Sequence, residues 1–216
     1  MIRYKAVFEG GSGEIVEKKS RFIAHVQSVE SVEEAQLFID GIKKKYWDAR
    51  HNCSAFSVGI DSVITRSSDD GEPSGTAGKP ILEVILRSGI HNIVVVVTRY
   101  FGGILLGTGG LVRAYTEAAR EGIAQSVIIE KIAGNRVMLR TNYTDLGKIQ
   151  YLLAQNNVTI EDTEYTESVT IHSLFPEEDK QRLGKQLIEA TGGRVEIVEG
   201  DKVYFGVVEG EVIVFE

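Results

Sequence analysis

The stretch Thr98–Tyr115, TRYFGGILLGTGGLVRAY, places five glycines among eighteen residues. Gly102, Gly103, Gly107, Gly109 and Gly110 lie between a strand-like run and a helix-like run. Glycine loses more backbone freedom on ordering than any other residue, so this density needs a physical reason. One reason is chemical. A Gly-rich segment before a helix leaves backbone N–H groups free to cradle an anion, and the helix dipole favours negative charge there. Arg99 precedes the segment and Arg113 follows it, where each guanidinium fork can clamp a phosphate. Tyr100, next to Arg99, belongs to the same candidate surface. The competing reason is steric: close packing of a strand against a helix. The spacing is neither a phosphate loop ending in Gly-Lys-Ser/Thr nor GxGxxG. On the anion reading, Arg99→Ala and Arg113→Ala weaken binding and leave the fold intact.

A second stretch, SSDDGEPSGTAGKP at Ser67–Pro80, carries Asp69, Asp70 and Glu72. Three carboxylates can hold a hard cation through oxygen or act as a base, although the spacing is not that of a calcium loop. The alternative is a tight turn whose Asp side chains cap the backbone. Gly71, Thr76, Gly78 and Lys79 complete the candidate surface, and a loop of this composition is often functional. In RHNCSAF, His51 and Cys53 stand two apart, on one face of a strand. They are secondary candidates for a Cys–His nucleophile pair, against a buried thiol beside a satisfied histidine. KKKYWDAR, Lys43–Arg50, interleaves lysines with Tyr46 and Trp47. That pattern suits a nucleic-acid strand, and it equally suits a helix C-terminus with lysines on the dipole and aromatics packed inward.

The elements that must position these residues are readable from periodicity. In the first half, SRFIAHVQSV, HNCSAFSVG, SVITRSS and NIVVVVTRY predict strands. Ser31 and Glu34 make a capping box before a helix over VEEAQLFIDGIKKKYWDA. ILEVILRSG and LVRAYTEAAREGIAQS predict helices, the second with Leu111, Ala114, Tyr115, Ala118 and Ala119 on one face. In the second half, RVMLRTN, VTIEDTEY, ESVTIHSLF and RVEIVEG predict strands, and TDLGKIQYLLAQNN and PEEDKQRLGKQLIEATGG predict helices, with Pro176 in the first turn of the latter. The order βαββαβ is ferredoxin-like. An apolar tail follows, with Val203, Phe205 and Val207 alternating as in a strand. No element is assigned to the first nineteen residues. The reading is α+β, with one domain over 1–130 and a ferredoxin-like domain over 131–216.

Composition bounds the function. The chain has 216 residues and a net charge of −7. Residues 1–130 carry 15 basic and 16 acidic residues, a net of −1, and residues 131–216 carry 9 and 15, a net of −6. The overall field therefore disfavours nucleic acid, and a local basic surface remains available in the first half. One cysteine excludes an internal disulfide and a multi-cysteine zinc site. No apolar run approaches the roughly 20 residues of a membrane span, and the N-terminus lacks a signal-peptide core. A cytoplasmic location is expected, with no membrane association. No cofactor is implied and no metal ligand set is assigned.

KSRFIAHV, DARHNCSAF, DDGEPSGTAGKP and VVVTRYFGGILLGTGGLVRAY stand in this order between Lys19 and Tyr115. In them the chain resembles the IMPACT family, in its bacterial YigZ/YvyE branch. The resemblance covers residues 1 to about 125, and the second domain is similar to that of bacterial members. It implies a first domain with the fold of the second domain of ribosomal small-subunit protein five, shared with the fourth domain of elongation factor G. It implies a second domain like the fifth domain of that factor. It also implies translation as the setting, since eukaryotic IMPACT regulates translation by competing for the activator of a starvation-sensing kinase. The leading expectation is a non-enzymatic protein that binds RNA or the ribosome through its Gly-rich, Arg-flanked segment. Translation factors or regulatory proteins are further expected partners. The alternative is an enzyme acting on a phosphorylated small molecule or nucleotide, with Asp69, Asp70 and Glu72 as metal or base residues.

Overall fold

The computed structural model describes residues 3–215. The chain forms two compact units, one over Tyr4–Ile129 and one formed chiefly from Glu130 onward. In chain order the first unit carries β1 (Arg3–Glu9), β2 (Ser12–Glu17), β3 (Ser20–Ser28), α1 (Val32–Lys45), β4 (His51–Val58), β5 (Ile64–Ser68), α2 (Gly78–Ser88), β6 (Ile90–His91), β7 (Ile93–Tyr100) and α3 (Gly107–Ala124). The remaining elements are β8 (Val127–Thr141), α4 (Tyr143–Gln155), β9 (Thr159–Tyr165), β10 (Val169–Pro176), α5 (Lys180–Thr191), β11 (Glu196–Val208) and β12 (Glu211–Phe215). Both units are α+β, as expected. No helix among the described residues is long and apolar enough to cross a membrane.

The first unit is built on an antiparallel sheet in the order β2-β3-β7-β4-β5. Its central strand, β7, explains the unbroken run of valines. Ile93, Val95 and Val97 pack with Phe22, Ala55, Ile81, Ile85, Leu111 and Tyr115, on the side covered by α2 and α3. Val94 and Val96 pack on the other side with Ala35, Ile39 and Ile42 of α1. A strand covered on both faces has no polar positions to alternate, and each fully buried side chain contributes about 1.5–3 kcal/mol. The Ser31 half of the capping box forms, Ser31 Oγ accepting from the Glu34 N–H at 3.1 Å, while the Glu34 carboxylate reaches one residue further back and accepts from the Glu30 N–H at 2.8 Å. α1 stops at Lys45, short of the predicted Ala49, and residues 46–50 form turns.

α2 starts without a cap from its own N-cap residue, Ala77. Asp69 supplies one from a distance. Its Oδ1 accepts from the N–H groups of Ala77 at 3.0 Å and Gly78 at 2.8 Å, and its Oδ2 accepts from Gly75 N–H at 2.8 Å. Burial alone would push this carboxyl up, but the three N–H donors prevail and hold it below the usual carboxylate range.

The second unit has the sheet order β9-β10-β8-β11-β12, all antiparallel. Leu139 and Ile171 from the sheet meet Ile149 and Leu153 of α4 and Leu183 and Leu187 of α5 in one core. This is the ferredoxin-like arrangement extended by a hairpin. Three details differ from the sequence reading. Pro176 ends β10, paired opposite Gly134, and α5 opens only at Lys180. RVEIVEG and part of the tail form one strand, β11, with an irregularity between Glu199 and Lys202. The tail then turns through Glu209 and Gly210, both at positive φ (51° and 87°), into β12. The N-terminal region, left without elements, supplies β1 and β2. β2 joins β3 through Lys18–Lys19, also at positive φ (45° and 67°).

α4 is fastened to the end of α5 by charge. Asp145, with a side chain 0% exposed, takes a bidentate pair of bonds from Arg194 at 2.7 and 2.8 Å, and Lys148 approaches at 3.3 Å. Chiefly through Arg194, its carboxyl lies well below the usual carboxylate range. A depressed folded-state value stabilises the fold above the unfolded value, about 3.9, and is lost as pH falls through the folded one.

Two outcomes follow from these contacts. Asp145→Asn lowers the melting temperature at neutral pH, and its gap from the parent protein narrows as pH falls below about 4; thermal unfolding across that range checks this. Asp69→Ala removes three backbone acceptors and destabilises the first unit by about 1–2 kcal/mol in denaturant unfolding, as loss of a helix cap does.

Candidate functional site

The two stretches singled out in the sequence meet at one end of the first unit's sheet. β4 begins and β7 ends there, with His51 directly opposite Arg99. The loop after β5 brings Gly71, Glu72 and Pro73, and the segment after β7 brings Phe101, Leu105 and Leu106. With Arg50 and the first turn of α3 these enclose a cavity of about 390 Å³.

Glu72 is the hub of the cavity's polar wall. Its side chain is 3% exposed, and that of Arg99 is 7% exposed. Glu72 Oε1 accepts from Arg99 Nη1 at 2.6 Å and from the Tyr115 hydroxyl at 2.8 Å. Oε2 makes no such bond and lies 3.9 Å from His51 Nε2. His51 donates through Nδ1 to the Asp70 carbonyl at 2.8 Å, because a carbonyl can only accept. In the neutral ring Nε2 is then an acceptor, so two acceptors face each other across a gap that a ligand's O–H or N–H can bridge. The Arg99 guanidinium lies 5.4 Å from the Phe22 ring centroid and 5.6 Å from that of Phe101, and its Nε is buried without a hydrogen-bond partner.

The other wall is the start of α3. This helix begins at Gly107, four residues before the predicted Leu111, so Gly107, Gly109 and Gly110 form its first turn and not a loop. Leu106 precedes it and no side chain caps it. Its first N–H groups therefore lack side-chain acceptors, in a turn that lines the cavity through Gly107, Thr108 and Leu111. Gly107 has φ 70°, a conformation that disfavours other side chains. Gly102 has the steric role weighed in the sequence reading: a Cβ there would sit 2.1 Å from the Lys19 backbone. Gly103, at φ 84°, turns the chain in open space.

Of the predicted residues, Gly71, Glu72, Arg99, Gly107 and His51 line the cavity. Asp69 is the remote cap of α2. Asp70 accepts from Lys43 at 2.6 Å and from the Asn52 N–H at 2.7 Å, so neither aspartate reaches the cavity as a metal or base group. Thr76 donates to the Pro73 carbonyl at 2.6 Å and shapes the loop. Gly78 lets α2 start against Ser68, whose backbone a Cβ would meet at 2.7 Å. Lys79 and Arg113 are exposed on α2 and α3, outside the cavity lining. Tyr100 donates to Asp48 at 2.9 Å. Cys53 is fully buried, its single S–H within reach of two acceptors, the Asp69 carbonyl at 2.9 Å and the Tyr115 hydroxyl oxygen at 3.3 Å. Burial, first among its causes, pushes this thiol up, which keeps it protonated, and His51 is not among its partners. The Cys–His nucleophile pair is therefore absent. Among the described residues no group of three His, Cys, Asp or Glu side chains is placed to hold a metal ion.

Arg50, Phe101 and Thr108 line the cavity and Tyr115 bonds its hub, although none of them belongs to the candidate surface read from the sequence. Tyr115 offered a signal, being the one bulky polar side chain on an otherwise small, apolar helix face. Arg50 offered one as the last residue of KKKYWDAR, a motif read apart from the glycine segment.

Both units are similar to known proteins. Residues 18–123 match the Impact N-terminal domain, and residues 139–194 match a domain of unknown function, DUF1949. The chain is 41% identical to the IMPACT family member YvyE of Bacillus subtilis, over 93% of each chain. It is 37% identical to the IMPACT family member YigZ of Escherichia coli, over 84% of this chain and 90% of that one. A crystal structure of a hypothetical protein aligns with a TM-score of 0.60 at 33% identity, covering 93% of this chain and 98% of the other. A cavity built from the conspicuous motifs and matches over most of the length lead to one conclusion: the chain belongs to the IMPACT family.

Proposed function

We propose that the protein binds phosphate groups of RNA, free or within the ribosome, in the cavity at the start of α3 and thereby modulates translation. The observation that carries the reading is the convergence of an uncapped helix N-terminus, Arg50 and Arg99 on one cavity. Arg99 is largely neutralised by Glu72, whereas Arg50 forms no ion pair among the described residues and lies 5.6 Å from the Phe101 ring centroid. The remaining field is positive, the sign a phosphate requires. The translation half of the proposal rests on family membership and on the resemblance of the domains to parts of elongation factor G and a ribosomal protein. Translation factors and regulatory proteins are proposed partners on the same ground.

A second reading draws on Glu72 Oε2 and His51 Nε2, which face each other across 3.9 Å in the same cavity. An enzyme acting on a phosphorylated small molecule or nucleotide would use Glu72 as base, since Asp69 and Asp70 are engaged elsewhere. Phosphorus NMR of nucleotides incubated with the protein, with and without a divalent metal, separates the readings. Turnover that Glu72→Gln abolishes favours the enzyme, and an unchanged spectrum removes it.

The burial of Arg99 changes which variant is informative. Arg99→Ala leaves the Glu72 carboxylate buried without its cation and destabilises the first unit by about 3–5 kcal/mol, so the fold is not spared as the sequence suggested. Arg50→Ala tests binding without that cost. In titrations of a short single-stranded RNA it weakens binding about 5- to 10-fold at low salt and lowers the slope against log salt by about 0.7, the loss of one phosphate contact. Arg113→Ala, on the same helix but outside the cavity lining, changes the slope less. If micromolar protein associates with neither ribosomes nor RNA at low salt, the proposal fails.

A further inference from the structure

KKKYWDAR enters the cavity lining only through Arg50; Lys43 to Ala49 do not line it. Of its two aromatics, Tyr46 packs inward, its ring centroid 4.9 Å from that of His25. Trp47 does not. It is the only tryptophan of the chain, and 82% of it is exposed. An indole is a large apolar surface to leave in water; one exposed hydrophobe is ordinary by itself, so the surroundings of Trp47 decide what its exposure means.

The backbone around Trp47 is tied down although its ring is free. Ala49 N–H donates to the Tyr46 carbonyl at 3.1 Å, and Asn52 Nδ2 donates to the same oxygen at 3.4 Å. Asp48 accepts from the Tyr100 hydroxyl at 2.9 Å, and Arg50 N–H donates to the Arg99 carbonyl at 3.2 Å. The segment thus runs along the same sheet end that forms the cavity. A ring presented from a fixed backbone loses little entropy on stacking.

The surroundings select the partner. Lys44, Lys45 and Arg50 form no ion pair among the described residues. Arg21 also lies 5.7 Å from the Tyr100 ring centroid, but Glu14 holds its guanidinium at 2.7 and 3.0 Å. Asp48, next to Trp47, is engaged by the Tyr100 hydroxyl, so the cations left unpaired around Trp47 in the chain are Lys44, Lys45 and Arg50. A protein-binding tryptophan has an apolar collar that excludes water, whereas the residues flanking Trp47 in the chain are mostly charged. A flat ring with unpaired cations before and after it in the chain is what an unpaired nucleotide needs: one face for the base and positive charge for the phosphates on either side. A duplex hides its base faces and has no use for the ring.

We infer that Trp47 is a base-stacking platform for single-stranded RNA, set three residues before Arg50 of the cavity. The inference rests on the phosphate-binding reading and adds to it the class of strand recognised.

The test uses the full chain with three probes: a ten-nucleotide single-stranded RNA, the same RNA annealed to its complement, and inorganic polyphosphate. Trp47 reports directly, because its fluorescence is the only indole signal. The single strand quenches it saturably and binds about 10-fold more tightly than the duplex, and polyphosphate binds without quenching. Trp47→Ala weakens single-strand binding about 5- to 100-fold, the range for losing one stacked base, and leaves polyphosphate binding unchanged; Trp47→Phe retains most of the affinity. An RNA affinity untouched by Trp47→Ala, an absence of quenching, or equal binding of duplex and single strand overturns the stacking platform and leaves the phosphate reading standing. Failure of all three probes to bind overturns both.

Discussion

The Arg99–Glu72 pair is the interaction on which the candidate site depends. It joins the end of the central strand to the middle of a loop whose flanks are fixed by Asp69, Asp70 and Thr76, and Tyr115 adds the long helix α3 to the same carboxylate. Two charges removed from water cost several kcal/mol each, and their attraction offsets that only with good geometry and further hydrogen bonds. Here Glu72 Oε1 has two donors. Arg99 lies between the Phe22 and Phe101 rings and beside the cavity. Such a pair adds little net stability over an apolar equivalent, but breaking it is expensive, so it behaves as a latch that sets the loop in one conformation. Asp69 reinforces the latch by holding the other end of the loop to the start of α2.

That latch also settles the cavity's electrostatics. A carboxylate in a proposed anion site looks contradictory until its partner is counted. Arg99 cancels the charge of Glu72, leaving Arg50 and the helix N-terminus as the uncompensated contributions. Glu72 keeps one oxygen free as an acceptor, so the cavity suits a group that is anionic at one end and carries an O–H or N–H at the other. A bare anion would leave that oxygen unanswered.

The fold was legible where periodicity was strong, and the site only where composition was odd. The valine run, the cap at Ser31 and the existence of two helices in the second unit follow from spacing and turn residues, though not the start of α5 at Lys180. β2 was not, because its turn uses Lys18–Lys19 at positive φ, where Asn-Gly would have announced a hairpin. The early start of α3 was hidden for a related reason: glycine is a poor helix former, so Gly107, Gly109 and Gly110 read as a loop although they form the helix's first turn. Asp69, Asp70 and Glu72 are indistinguishable as types. Only the fold separates a remote cap, a partner of Lys43 and the hub of a cavity. The identity of Arg50 as the unpaired cation is likewise a property of tertiary neighbours and has no sequence signature.

Net charge and local charge pull in opposite directions in this chain. At −7 overall, the protein repels a polyanion at long range. At physiological salt the Debye length is about 8 Å, so most of that repulsion is screened while contacts inside the cavity are not. Lowering the salt strengthens both the local attraction and the distant repulsion. On the proposed reading, an acidic carrier with a basic, aromatic end discriminates by geometry: a strand would gain affinity only where its phosphate enters the cavity and its base finds a ring, and the same net charge would disfavour loose adsorption of RNA over the rest of the surface.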